Sequence, residues 1–196
     1  MRQLLPFVLS FSLLQPTSPA PLSDRTATLV SPSWIASVER SIVLVTYEEH
    51  LCTGFVVDAA RGWVLTARHC IEEEVPVFVE HVPSTIVAVS PVFALLSIPL
   101  MERPPLDLRK DRIPVGESVV SFGYGYGWMQ VVQRHIASWK DGDIFLDAPV
   151  APGMSGGPIV DLAGKVVGLN QAVDPNRTLT QACGVDEMRD FLKSVR

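Results

Sequence analysis

The sequence predicts an all-β fold, built as barrels or as a sandwich, and two observations support that prediction. Of the 196 residues, 47% are hydrophobic and only 19% are charged, with 16 prolines and 13 glycines. This composition argues against a disordered chain and against a coiled coil or long helical array. Many short β-branched runs alternate with glycine, proline and aspartate turns, a pattern typical of barrels and sandwiches.

The charge of the chain limits the partners that it can have. Its 16 basic and 21 acidic side chains give a formal net charge of −5. A nucleic-acid-binding protein would show a basic surface, so no nucleic-acid partner is predicted. The length favours one globular domain, or two small ones that share a core.

The N-terminal segment has the pattern of a secretory signal. Arg2 precedes a short apolar run, and small residues stand at positions 18 and 20. This arrangement predicts a signal peptide over residues 1–20, a flexible leader over 21–32 and a secreted or periplasmic protein. The run is short and interrupted by serine and proline, so no stable membrane insertion is expected. A disordered apolar leader or an uncleaved anchor is the alternative.

Residues 33–196 are predicted to form the folded domain, with a first half over 33–98, a proline-rich connection over 99–114 and a second half over 115–196. Ser33 is predicted to cap a short helix, and an amphipathic helix is predicted over 186–195. The predicted strands are 42–47, 55–57, 63–66, 75–80, 85–89, 94–98, 118–122, 129–133, 144–146, 158–161, 165–170 and 179–183. The glycine-rich run 123–127 lacks the spacing of a nucleotide-binding loop and is predicted to be a turn.

A serine framed by glycines is the first candidate for chemistry. Residues 151–158 read Ala-Pro-Gly-Met-Ser-Gly-Gly-Pro. Glycines permit backbone conformations that point N–H groups into one small space. The amides of Gly153 and Ser155 are therefore candidates to donate to an oxyanion beside the Ser155 hydroxyl. The alternative is an ordinary turn that holds a solvated serine.

A histidine at the end of a predicted strand is the second candidate. The strand within residues 62–67 runs directly into His69. A serine hydroxyl is a weak nucleophile, and a histidine base is its usual activator. His69 alone would be a structural histidine, but together with Ser155 it predicts a base and a nucleophile.

These two segments resemble the chymotrypsin-like serine protease superfamily, which has Thr-Ala-Ala-His-Cys and Gly-x-Ser-Gly-Gly-Pro motifs in this order. The closer likeness, over residues 34–193, is to bacterial trypsin-like proteases of the HtrA/Deg type. The resemblance implies two six-stranded β-barrels with the active site between them, and hydrolysis of a peptide or protein substrate without a metal or cofactor. It further implies a substrate groove lined by Val150, Asn170, Gln171 and Ala172.

The resemblance also shapes expectations about specificity and regulation. The specificity pocket falls near Pro149 and Val150, where the sequence shows no buried carboxylate. A small or apolar residue is therefore expected before the scissile bond. Activation by a new Ile-Val-Gly-Gly-type terminus is not expected, and no PDZ domain is expected after the last helix. The sequence makes no prediction about oligomeric state.

One position departs from the family pattern. Where the family has an aspartate before its Ala-Leu-Leu strand, this sequence has Val92. That aspartate normally orients the histidine and stabilises the imidazolium. Three alternatives follow. A weaker orienter such as Ser90 or a backbone carbonyl acts instead, or the chain is a pseudoprotease that binds peptides or proteins, or another carboxylate replaces the aspartate. The carboxylates considered are Glu72, Glu73, Glu74, Glu80 and Asp107.

The three cysteines complete the candidate residues. In the chymotrypsin branch a disulfide joins positions equivalent to Cys52 and Cys70, and the resemblance implies the same pair here. The alternative is two reduced core thiols. Cys183 is predicted to be a buried free thiol. No metal site is predicted, because the other histidines have no cysteine or carboxylate partner at ligand spacing; these histidines are His50, His81 and His135.

Overall fold

The computed structural model describes residues 33–72, 74–99, 102–173 and 178–195. The predicted signal peptide and leader, and Glu73 among the candidate carboxylates, lie outside the described residues. Within the described part of the chain, no helix combines the length and apolar character needed to cross a membrane.

The first half of the domain forms a seven-stranded antiparallel sheet. A short helix α1 (Ser33–Glu39) precedes it. The strands are β1 (Ile42–Tyr47), β2 (His50–Asp58), β3 (Trp63–Ala67), β4 (Phe78–Val79), β5 (Val82–Pro83), β6 (Thr85–Val89) and β7 (Phe93–Ser97), and a 3₁₀ turn (Arg68–Cys70) follows β3. The strand order is β5-β4-β1-β2-β3-β7-β6, so within the described residues the sheet is a half-barrel with two edges, where a barrel of six-stranded type was predicted.

The second half forms a closed six-stranded barrel. Its strand order is β10-β13-β12-β11-β8-β9, and helix α2 (Val185–Ser194) follows the last strand. The strands are β8 (Ser118–Gly125), β9 (Trp128–Lys140), β10 (Asp143–Leu146), β11 (Pro158–Val160), β12 (Val166–Val173) and β13 (Thr180–Gly184). The all-β, trypsin-like fold predicted from the sequence is therefore confirmed.

One apolar core joins the two halves. Phe55 and Leu65 of the first sheet belong to the same buried cluster as Phe122 and Leu169 of the second. The proline-rich connection is tied to both halves as well. The Leu106 amide donates to Val56 in β2, and residues 107–109 exchange hydrogen bonds with Val166 in β12. This shared core sets the relative position of His69, which follows β3, and of Ser155, which precedes β11.

Two turns differ from the predictions. The strand predicted over 75–80 shrinks to Phe78–Val79, because Glu80 and His81 adopt left-handed backbone angles (φ 50° and 66°) and form a turn. The turn predicted over 123–127 shrinks to Tyr126 and Gly127 (φ 53° and 92°). A two-residue hairpin turn with two positive φ angles matches the twist of the flanking strands, so β8 and β9 continue almost to the turn.

Candidate active site

His69 stands in the 3₁₀ turn that ends β3. The amide of Arg68 donates to the carbonyl oxygen of Val92 at 2.8 Å, which fixes this turn against the start of β7. The Tyr47 hydroxyl donates to the carbonyl oxygen of His69 at 3.3 Å. The residue remains exposed on one side, so its imidazole is open to a substrate.

A disulfide joins Cys52 and Cys70, with the Cα atoms 5.8 Å apart, as the resemblance implied. A ring nitrogen of His69 lies within 4.8 Å of the sulfur atoms. The Cys70 Sγ atom also lies 3.6 Å from the carbonyl oxygen of Ser155. The two candidate residues, from opposite halves of the domain, therefore lie close to the same disulfide. Because both sulfurs are bonded to each other, this Cys-His-Cys group has no thiolate to offer a metal.

The loop around Ser155 requires glycine for steric reasons. Gly153 and Gly156 have φ angles of 97° and 83°, a region that side chains disfavour. A Cβ atom on Gly156 would stand 2.1 Å from the carbonyl oxygen of Thr53, and one on Gly157 would stand 2.1 Å from that of Phe122. The glycines thus permit the loop to lie directly against β2 and β8.

Thr53 fastens this loop to both sheets. Its hydroxyl donates to the carbonyl oxygen of Gly153 at 2.7 Å and accepts from the amide of Tyr124 at 2.8 Å. Its own amide donates to the carbonyl oxygen of Ser155 at 2.8 Å. Thr53 is not among the residues predicted from the sequence. A threonine inside the apolar strand β2 was the available signal, because a buried hydroxyl needs hydrogen-bond partners.

Two backbone amides in the serine loop have no hydrogen-bond acceptor among the described residues. The amides of Met154, Gly156 and Gly157 donate to carbonyl oxygens at 3.1, 2.8 and 3.0 Å. Those of Gly153 and Ser155 donate to none of the described residues. Unpaired backbone N–H groups are rare away from water, so these two are available to an oxygen that arrives from outside.

The Ser155 hydroxyl points toward β12 in this structure. It donates to the carbonyl oxygen of Gln171 at 3.1 Å, and the described residues show no hydrogen bond between it and His69. The side-chain amide of Gln171 in turn donates to the carbonyl oxygen of Val92 at 3.1 Å. Gln171 therefore connects the serine to Val92, the residue at which the resemblance predicts an aspartate.

No described carboxylate supports the imidazole. Burial alone lowers the pKa of His69, with no contribution from a neighbouring charge. Ser90 uses its hydroxyl to accept the amides of Val92 and Phe93. Glu80 accepts the amide of Leu44 at 2.9 Å and pairs with Arg103 at 3.3 Å. The two candidate orienters, Ser90 and Glu80, thus make their hydrogen bonds elsewhere.

The residues predicted to line the groove fall into different environments. Val150 is buried and Gln171 is half-buried beside Ser155. Asn170 is fully buried, and its side chain accepts from the Ser121 hydroxyl at 3.4 Å. Its backbone braces the serine loop, since its N–H and C=O pair with Gly157 and Gly156. Ala172 lies in β12 opposite Gln181.

Comparisons with known proteins find a family model and relatives that match this chain. Residues 52–169 match the trypsin-like peptidase domain. A probable periplasmic serine endoprotease DegP-like of Chlamydia pneumoniae is 29% identical over 140 residues, covering 62% of this chain and 28% of that protein. Its counterpart from Pseudomonas fluorescens is 30% identical over 142 residues, covering 64% and 30%. The chain thus spans less than a third of the length of these relatives.

A solved structure supports the fold independently. The active form of the Rv3671c protease from M. tuberculosis superposes with a TM-score of 0.75 at 24% identity, covering 94% of each chain. The residues that match the family include Cys52, His69 and Ser155, which the structure gathers around one disulfide. The chain therefore belongs to the trypsin-like peptidase domain family.

Proposed function

We propose that this protein is a serine endopeptidase that works with a Ser155–His69 dyad. Ser155 Oγ attacks a peptide carbonyl, His69 takes the hydroxyl proton and returns it to the leaving amine, and the amides of Gly153 and Ser155 donate to the oxyanion. The observation that supports this most is that the amides of Gly153 and Ser155 have no acceptor among the described residues. They belong to a loop whose glycines leave no room for a side chain.

The proton transfer requires a rearrangement. The Ser155 hydroxyl must turn away from the carbonyl oxygen of Gln171 and toward His69. Hydrogen bonds of this kind often tighten only when substrate is bound. Because burial lowers the pKa of His69, its imidazole is neutral near pH 7 and is ready to accept a proton.

The described residues place no carboxylate against His69, and this sets the rate that we expect. In the well-studied Ser-His-Asp template, removing the aspartate charge lowers kcat about 10⁴-fold, while the remaining groups keep catalysis about 10³- to 10⁴-fold above water. With Val92 at this position, we propose a slow protease whose oxyanion site supplies much of the rate enhancement.

A peptide- or protein-binding module without catalysis is the second candidate. The hydrogen bond from Ser155 to Gln171, together with Val92, favours it, because both leave the serine unactivated. The groove and its free amides would then hold a peptide carbonyl without cleaving the chain.

We also propose that the protein is exported, with residues 1–20 as its signal peptide. The relatives are described as periplasmic, and an oxidising compartment preserves a disulfide such as Cys52–Cys70. Peptides or proteins of that compartment are then its substrates.

A fluorophosphonate probe tests the endopeptidase proposal, since it reacts only with an activated serine. We expect labelling of the unaltered chain, loss of labelling in Ser155→Ala, and unchanged labelling in the matched control Ser138→Ala on the exposed part of β9. Casein hydrolysis between about pH 6 and 9 provides the second readout. Absence of both labelling and hydrolysis in the unaltered chain would favour the binding module.

A further inference from the structure

A buried arginine in the second barrel takes no part in the mechanism proposed above. Arg134 lies in the middle of β9 and is only 2% exposed. It shares the inward face of that strand with Ile136, while its neighbours Gln133 and His135 face outward and are exposed. Arginine is almost never fully buried unless it is paired with a negative charge.

The hydrogen-bond acceptors of Arg134 do not provide that negative charge. Its Nη1 donates to the carbonyl oxygen of Ala148 and to the Thr180 hydroxyl, both at 2.7 Å. Its Nε is buried and has no hydrogen-bond partner among the described residues. Both acceptors are neutral, and no ion pair to Arg134 occurs among the described residues. Asp147 is close enough to influence the charge, but its oxygens bind the amide and the ring of His135, at 3.0 and 2.8 Å.

The guanidinium nevertheless stays charged at neutral pH. Burial lowers the pKa of Arg134 to about 10, which leaves the group protonated across the physiological range. A buried cation with a free donor costs folding free energy unless an anion compensates for it. The position therefore favours an anion that comes from outside the protein.

The location of Arg134 relates this anion to the substrate. Ala148 immediately precedes Pro149 and Val150, where the resemblance predicts the specificity pocket, and these residues lead into the serine loop. Thr180 pairs with Val173 in β12, two residues beyond Gln171, which accepts the Ser155 hydroxyl. The guanidinium is thus held between the two segments that would enclose the side chain before the scissile bond.

We propose that Arg134 selects substrates with an acidic residue, glutamate or aspartate, immediately before the scissile bond. This inference rests on the proposed function and names its substrate class. The planar guanidinium matches a carboxylate in shape and charge. The same charge rejects lysine and arginine. This acidic preference differs from the small or apolar residue that the sequence analysis expected.

Binding tests the inference without requiring catalysis. In Ser155→Ala, we compare product-like peptides Ala-Ala-Pro-Glu and Ala-Ala-Pro-Gln by calorimetry, since they differ only in the charge of one side chain. We expect the glutamate peptide to bind about 100-fold more tightly, and this preference to disappear when Arg134→Gln is added. Equal affinities, or no measurable binding of the glutamate peptide, would overturn the inference.

Cleavage by the unaltered chain separates this inference from the proposed function. Fluorogenic Ala-Ala-Pro-X substrates should be cleaved best when X is glutamate or aspartate, about 100-fold above glutamine. Arg112→Gln, an exposed arginine paired with Asp186, should retain this preference. Fluorophosphonate labelling with equal cleavage after glutamate and glutamine contradicts the acidic preference alone. Absence of labelling, with the binding preference intact in Ser155→Ala, contradicts the endopeptidase alone.

A structural role for Arg134 makes a different prediction. Arg134→Gln would then lower the melting temperature and all cleavage equally, whichever residue precedes the scissile bond. If that variant does not fold, the glutamate and glutamine substrates still decide the question on the unaltered chain.

Discussion

The serine side and the histidine side of the candidate active site differ in the hydrogen bonds that hold them. In the serine loop, three amides are paired, two are left open, and Thr53 ties the loop to both sheets. On the histidine side, the ring of His69 has no hydrogen-bond partner among the described residues, and Val92 stands where the resemblance leads us to expect the family's aspartate.

This difference shows that the two parts of the chemistry depend on different kinds of structure. Stabilisation of an oxyanion depends on backbone amides, which the fold holds in place before the substrate arrives. Proton transfer depends on the orientation and charge of one side chain, which needs a partner. We therefore expect substitutions in the serine loop to lower activity strongly. On the histidine side, we expect that an added carboxylate can raise activity.

The largest expected loss comes from Gly156→Ala. Its Cβ would stand 2.1 Å from the Thr53 carbonyl oxygen at a φ of 83°, so the loop must shift and the open amides must move with it. We expect kcat/KM to fall about 1,000-fold. Gly116→Ala is the matched control, because its φ is 87° but no heavy atom lies within 4 Å of the added Cβ. It should cost only about 1 kcal/mol of stability. Equal losses in the two variants would contradict a sterically constrained loop.

The largest expected gain comes from Val92→Asp, which places a carboxylate where the family has one. Its charge should stabilise the imidazolium and raise kcat about 100-fold, below the roughly 10⁴-fold contribution in a complete triad because this site is packed for valine. Val92→Asn, of similar shape and without the charge, is the control. An unchanged kcat in Val92→Asp would show that the histidine side does not limit the rate.

Removal of the disulfide should affect both sides moderately. The double variant Cys52→Ala, Cys70→Ala opens a loop with a sequence separation of 18, and we expect it to lower the free energy of unfolding by about 3 kcal/mol. Cys183→Ala removes the remaining, buried thiol and serves as the control. Fluorophosphonate labelling at the original rate in the double variant would mean that the disulfide does not hold the two sides together.

The smallest expected effect is a shift in pH dependence. Because burial lowers the pKa of His69, the neutral base persists below pH 6.5, and kcat/KM should fall only as the pH drops through a midpoint below that value. In Val92→Asp the midpoint should move upward, since a nearby carboxylate favours the imidazolium. An NMR titration of the His69 ring measures both. A midpoint at or above 6.5 in the unaltered chain would contradict an unsupported imidazole.

Local sequence patterns predicted most of the fold. Strand β6 and helix α2 lie within a residue of their predicted bounds, because β-branched alternation and an amphipathic face are short-range signals. Strand β9 is far longer than predicted. Its polar residues pair with β8 and β10, and the hydrogen bonds come from these neighbours and not from its own sequence. The alternation that turns Arg134 inward beside Ile136 is present in the sequence, but the predicted strand ends at residue 133, just before it.

By itself, the sequence determined which residues are candidates for chemistry. Motif order identified His69 and Ser155 as candidates, and the glycines around the serine indicated a loop with positive φ angles. Only the tertiary structure decided what these residues contact. Thr53 meets Gly153 across 100 positions, and Arg134 meets Thr180 across 46. Such contacts depend on how two sheets pack against each other, and a local pattern of residue types holds no information about a partner so far along the chain.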